Sequence, residues 1–416
     1  MTSTRLRTTI LVVLASSVLA VLAFGPGLRG AFLNFDDPRT VLENPAFLEG
    51  GVAGFERIFD PTSTIADVYL PVTYTSLWID HALTRWSGAN PLVHTWIYHA
   101  QSLLWHVVAA LLLFAILTTL RLGRTLAFAA TALFLVHPAL AESVGWISSR
   151  KDVLSGALAF ACFFFGQRVV LRNASLWPVA ISAVLACYAK ATAIVIPLVG
   201  ALLWLATAKV ARDAAGVPVS SAGESAGESE TSTTVLDGAR RRVAACVLVS
   251  LVIAVLAGVH HLYLAAQAGT AAFDAEARVV PGTFLHYLRV ALWPDDLAVH
   301  RPRGLQDSFS QDAELRALWL LVLLAAAAVC WRRGKHEVRL VGIGLLAFFA
   351  ALLPFNGFKP AFAVAAADRY LYLALPGLAL VFAAGGAALE EQLARVLRPV
   401  VVRRIVGLVV VGGLLV

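Results

Sequence analysis

The chain has 416 residues, 59% of them hydrophobic and 14% charged, where an average soluble domain carries about 25% charged residues. That balance, with a mean hydropathy of +0.78, excludes an ordinary soluble domain and reads as an all-α, polytopic transmembrane bundle. The net charge of +7 is then a topology signal rather than a nucleic-acid footprint, because basic residues in such chains mark the loops kept inside.

About eleven apolar segments are expected, each long enough or nearly so to span a bilayer with about 20 residues. They lie near 8–24, 92–119, 125–137, 153–170, 176–188, 192–208, 243–265, 315–331, 338–354, 370–389 and 405–416. The first follows Arg5 and Arg7 and reads as a span rather than a cleaved signal peptide. With the N-terminus cytoplasmic, Arg121, Arg124, Arg168, Arg172, Arg240, Arg241, Arg242, Arg332 and Arg333 all fall on the inner side, as the positive-inside rule requires. Three parts follow: a front membrane half (1–212), a Ser/Gly/Glu-rich flexible cytoplasmic linker (213–237) and a rear membrane half (238–416). The last apolar run is short at Val416, so the chain is expected to continue outside.

Two long outer loops carry the unusual residues. In the first, about 25–91, Asn34-Phe35-Asp36-Asp37-Pro38 places two carboxylates at a membrane face. Asp37 before Pro38 fits a helix cap. Asp36 has no such explanation, and adjacent carboxylates suit base catalysis or cation binding. The second outer loop, about 266–314, holds Phe284-Leu285-His286-Tyr287-Leu288-Arg289 through Trp293-Pro294, a mixture suited to an interfacial helix.

Within the second segment stand His94, His99 and His106, the last two seven residues apart and on one face. Helical zinc ligands recur three or four residues apart, and a spacing of seven favours polar packing. The connection His137-Pro138 … Glu142 … Trp146 … Ser149-Arg150-Lys151-Asp152 puts four charges between two apolar runs. A charge at the bilayer centre costs roughly 2.5–3.5 kcal/mol even on insertion scales, so these must lie at a surface. Glu142 and Arg150 share a face if the segment is one helix, and a salt bridge between them is the bland reading. The chemical reading makes Glu142 and Asp152 candidates for a divalent cation, Mg or Mn, while Arg150 and Lys151 hold an anionic head group. Lys190 and Arg369, beside Tyr370, are further outer cations suited to a lipid phosphate, with interfacial snorkelling the alternative. His99, His137 and Trp146 complete the site candidates. Neither a P-loop nor a GxSxG or GxGxxG fingerprint is present.

Taken together the motifs resemble a family. Asp36-Asp37 with Glu43-Asn44-Pro45, Tyr69-Leu70-Pro71-Val72-Thr73, His99 and His106, the block from His137 to Asp152, Lys190 with Pro197, Tyr287 with Trp293-Pro294, and Arg369-Tyr370-Leu371-Tyr372 stand in an order similar to the membrane part of glycosyltransferase-C superfamily proteins. The likeness is to those that carry tetratricopeptide repeats after their spans, the protein O-mannosyltransferases of that type. Asp368 departs from the glutamate expected before Arg369, no such repeats occur by Val416, and the 213–237 linker is additional. The resemblance implies a sugar, mannose in such a family, moved from a polyprenyl-phosphate donor to a hydroxyl of a protein or glycan, and the charges at one face put that chemistry at the outer face of a plasma membrane. It also implies that an aspartate of the first outer loop, Asp36 or Asp37, is the base; the cap reading of Asp37 favours Asp36. The rival expectation is a polytopic transporter or lipid flippase without glycosyl transfer. Polar residues inside the spans would favour it, whereas here the charges gather at one face.

Overall fold

The computed structural model describes residues 3–62, 68–214, 226–267, 277–299, 301–302, 309–355 and 364–395. The fold is a helical bundle. Its long members are α1 (Ser3–Phe24), then, after three short helices α2 (Pro45–Glu49), α3 (Gly51–Phe59) and α4 (Pro71–Trp86), the apolar α5 (Trp96–Thr119) and α6 (Arg124–Val136). A short α7 (Ala141–Gly145) leads to α8 (Arg150–Arg172), α9 (Trp177–Ala189), α10 (Ile196–Ala214) and α11 (Ala226–Gln267). The rear half adds α12 (Val279–Leu292), α13 (Ala313–Arg333), α14 (His336–Ala351) and α15 (Leu375–Leu393). Two short strands, β1 (Arg301–Pro302) and β2 (Val364–Ala366), pair antiparallel, with Arg301 opposite Ala366.

Every apolar segment expected up to residue 389 is a helix here; the one at 405–416 lies outside the described residues. Six of the described helices are long and apolar enough to cross a bilayer, or seven if α6 and the bent piece Pro138–Gly145, 51° away, form one span. That count does not reach eleven, because α9 at 13 residues rises only about 20 Å and α14 is similarly short at 16. Lipid-facing surfaces are plain: Leu11, Leu14 and Leu22 on α1, Leu256 and Val259 on α11, and Leu318 and Leu321 on α13 are large, apolar and exposed. Contiguous exposed apolar faces on helices with internally paired backbones are what a bilayer accepts. The protein is a multi-pass membrane protein.

Close backbone approach holds the rear half. A Cβ on Gly344 of α14 would stand 2.5 Å from the Gly377 carbonyl oxygen on α15, and one on Gly377 would stand 2.6 Å from that of Gly344. Small residues at such crossings let the helices meet through van der Waals contact, the main attraction left between helices in lipid.

The expected linker divides. Residues 215–225 lie outside the described residues, while 226–237 are helical and run unbroken into α11. The described part of the first long loop, 25–91, is folded rather than loose. Val41, Phe47, Ile58, Tyr74 and Leu77 form a small core of their own, closed by Tyr98 of α5 and Ile147. This second core fixes the loop on the bundle end where Asp36 and Asp37 lie.

Candidate functional site

Asp37 is the anchor of its turn. Its residue is fully buried; Oδ2 accepts the Leu33 N–H at 2.7 Å and Oδ1 accepts the Ser148 N–H at 3.0 Å and the Ser148 hydroxyl. The cap expected of Asp37 is absent: its own backbone is already helical and its side chain makes no capping bond to the turn that follows. Asp36, one residue earlier, faces the other way. Its carboxylate is 40% exposed and stands 3.9 Å from the Lys151 ammonium.

The connection from His137 to Asp152 is two helices, not one. Trp146 is extended at φ −93°, ψ 126°, and the break separates the faces of Glu142 and Arg150. Glu142 therefore does not meet Arg150. It takes the Arg369 N–H on Oε2 at 3.0 Å and the Arg369 guanidinium on Oε1. That pair is nearly buried on both sides.

Arg150 is a correction to the sequence reading. It is fully buried, and all five of its N–H donors are used. Nε binds Ser102 Oγ at 2.9 Å, Nη1 binds Ser76 Oγ at 2.7 Å and Gln101 Oε1, and Nη2 binds Asp80 Oδ2 at 2.7 Å and the Tyr98 carbonyl. Nothing remains for a lipid phosphate. Arg150 instead ties α8 to α4 and α5. Burial pushes the Asp80 carboxyl up to about 7, against the opposing pull of Arg150. Consecutive helical residues point about 100° apart, which is why Lys151 turns to the opposite side and remains partly exposed.

Lys190 joins the cluster from the break between α9 and α10. It bonds Asp152 Oδ1, and its ammonium lies 5.0 Å from the Phe355 ring centre and 5.1 Å from that of Tyr370. Those two rings stack at 4.0 Å with 12° between planes. Burial lowers the Lys190 pKa, Asp152 raises it, and the neighbouring Lys151 and Arg369 lower it again. The Arg369 guanidinium carbon sits 5.0 Å from Tyr370 and 5.4 Å from Trp146, within cation–π range, and Trp146 in turn meets Phe35 at 5.6 Å. Lys151, Lys190 and Arg369, from three distant parts of the chain, thus share one neighbourhood with Asp36, Asp152, Glu142, Tyr370 and Trp146.

Glu142 and Asp152, the expected divalent-cation ligands, each pair with a cation of the chain itself. Glu142 spends both oxygens on Arg369 and Asp152 spends one on Lys190. Among the described residues no three potential ligands gather to hold a metal. Three carboxylates, Asp36, Asp152 and Glu142, are here paired one to one with Lys151, Lys190 and Arg369.

His99 and His137 each meet a backbone carbonyl. His99 Nε2 meets the Gly30 carbonyl at 3.1 Å. His137 Nε2 meets the Ala291 carbonyl at 3.0 Å while its Nδ1 accepts the Ala139 N–H at 3.2 Å. The latter ties the connection to the end of α12, which forms where the interfacial helix was expected. Asp368 secures the other side: it accepts the Ala298 N–H at 2.5 Å and faces Arg301 at 3.8 Å. Burial raises its pKa, against that N–H and Arg301. Sequence reasoning missed Asp80, Ser148 and Phe355. Asp80 and Phe355 carry no local signal, and Ser148 matters only through a contact 111 residues away.

No protein-family model matches the chain. Among curated proteins it is 27% identical over 160 residues to "Protein O-mannosyl-transferase F38B6.6" of Caenorhabditis elegans, covering 34% of this chain and 21% of that one. The chain therefore spans about a fifth of the length of that relative. Among solved structures, the crystal structure of an Archaeoglobus fulgidus oligosaccharyltransferase tethered to an acceptor peptide aligns with a TM-score of 0.45 and 13% identity, over 92% of this chain and 50% of that one. The likeness to protein O-mannosyltransferases read from the motifs is thus met by a sequence match.

Proposed function

We propose that the protein is a membrane glycosyltransferase of the glycosyltransferase-C type, which moves a sugar from a polyprenyl-phosphate donor to a protein hydroxyl. Mannose as the sugar and a protein as the acceptor are what the name of the O-mannosyl-transferase relative suggests. The observation that carries the reading is the open carboxylate of Asp36 beside the cluster of Lys151, Lys190 and Arg369. A base beside cations suits a reaction in which a proton leaves one group while negative charge builds on another.

Asp36 takes the proton of the acceptor hydroxyl as its oxygen attacks the anomeric carbon. The bond from that carbon to the phosphate oxygen breaks, and polyprenyl phosphate leaves. Positioned bases contribute about 10²–10⁴-fold. Lys151, Lys190 and Arg369 offset the charge developing on the phosphate. Tyr370, stacked on Phe355 and facing Lys190, gives the donor a firm wall. The positive-inside pattern supports an outer-face site in a plasma membrane.

The test is transfer by the purified full chain in nanodiscs, given polyprenyl-phosphate mannose or glucose and an acceptor peptide. Glycosylated peptide in wild type and its loss in Asp36→Asn is the expected result. Movement of donor between leaflets without any glycosylated product would replace this reading with a flippase.

A further inference from the structure

The turn that carries Asp36 is locked from outside itself. Ser148 N–H and hydroxyl both bind Asp37 Oδ1. With its proton on Asp37, the Ser148 hydroxyl oxygen accepts the Thr40 hydroxyl at 2.6 Å, and the Thr40 N–H returns to the Asp36 carbonyl at 2.9 Å. Ser148, Thr40 and Asp37 are all buried. The backbone of Asp36 is therefore clamped on both sides while its carboxylate remains open.

We propose that Ser148 is a positioning residue that sets the Asp36 carboxylate against Lys151. The inference rests on the reading of Asp36 as the base. Ser148 and Lys151 belong to one rigid stretch, the 3₁₀ turn Ile147–Ser149 running into α8, so the residue that grips the Asp36 turn is built into the same segment as the cation Asp36 faces. A methyl group in place of the hydroxyl frees Thr40 and takes one donor from Asp37. The Asp36 turn then loses its fixed distance to α8. Ser148 touches no reacting atom in this scheme and acts only through Asp36.

A water-soluble carbodiimide reads the separation directly. It activates the Asp36 carboxylate with one proton, the Lys151 amine then forms an amide, and the reagent leaves as the urea, the water being accounted for. Asp152 and Lys190, paired independently of Ser148, give a second cross-link as internal control. In Ser148→Ala the Asp36–Lys151 product, quantified by mass spectrometry, is expected to fall several-fold with the control product unchanged. Turnover should fall by about 10-fold or more, since small misplacements cost rate steeply, with KM for donor and acceptor held. Ser148→Thr, which keeps the hydroxyl, should restore both. An undiminished Asp36–Lys151 product or an unchanged kcat in Ser148→Ala overturns the proposal, and so does equal loss of both cross-links, which would report general loosening. Asp36→Asn is assayed alongside: full activity there sinks the base assignment itself, and the cross-link still decides whether Ser148 places that side chain.

Discussion

Arg369 and Glu142, 227 residues apart, are joined twice, through the Arg369 backbone N–H at 3.0 Å and through its guanidinium. The pair fastens the start of the last described helix to the connection between α6 and α8. It also leaves Arg369 facing Trp146 and Tyr370.

Glu142→Ala removes both acceptors and leaves a nearly buried guanidinium without its carboxylate. Breaking one side of a buried pair costs about 3–5 kcal/mol. A large drop in the detergent melting temperature is expected, with a smaller drop for Glu142→Gln, which keeps one acceptor. Equal melting of wild type and Glu142→Ala would show that the pair contributes nothing to the fold.

Asp36→Asn and Asp37→Asn should fail in different ways. Asp36→Asn keeps the fold and loses about 10²-fold or more in turnover. Asp37→Asn cannot offer acceptor oxygens to both Leu33 and Ser148, so it should cost about 1–3 kcal/mol of stability before any effect on chemistry. Thermal melts and transfer rates on the same preparations separate the two. Wild-type turnover in Asp36→Asn beside a stable, inactive Asp37→Asn would reverse the assignment.

Arg150→Lys retains the charge and loses the five-way fork. Because Arg150 is buried among α4, α5 and α8, the variant should be destabilised by several kcal/mol while the folded fraction keeps its donor KM. A weakened donor KM in a fully stable Arg150→Lys protein would return that residue to the phosphate site.

Lys151→Gln and Lys190→Gln should each raise the donor KM, whereas Arg395→Lys, at a surface pair with Glu391, should not. The pH dependence has a sign. Burial and two neighbouring cations lower the Lys190 pKa, so its charge is present at low pH and lost as pH rises, beginning below the ~10.4 of a free lysine. Donor affinity in wild type is therefore expected to weaken toward alkaline pH earlier than in Lys190→Arg. Identical pH profiles for the two proteins would remove Lys190 from donor binding.

Topology can be read by cysteine labelling in a Cys330→Ala background, since Cys162, Cys187 and Cys246 are buried. A cysteine replacing the exposed Glu56 of the first outer loop should react with an impermeant reagent on intact cells, and one replacing the exposed Arg333 should not. The reverse pattern would place the Asp36 cluster on the cytoplasmic face.

The helices up to residue 389 were legible in the sequence because each is a run of apolar residues that must be satisfied within itself in lipid. The Asp36, Lys151, Lys190 and Arg369 candidates were legible for a related reason: a charge beside an apolar run has no cheap place to go, so its presence is a signal in itself. Tertiary structure decided what each charge faces. Arg150 and Lys151 are neighbours in sequence, yet one turns into a buried network with Asp80 and the other toward Asp36, because a helix separates adjacent side chains by about 100°. Glu142 pairs with Arg369 rather than Arg150 because Trp146 breaks the helix between them. Asp37 became an anchor rather than a cap only when the first loop docked on Ser148. Composition and periodicity fix which residues lie along a span and which lie at its ends; the partner of each end residue depends on contacts between segments far apart in the chain, and a single sequence does not record those distances.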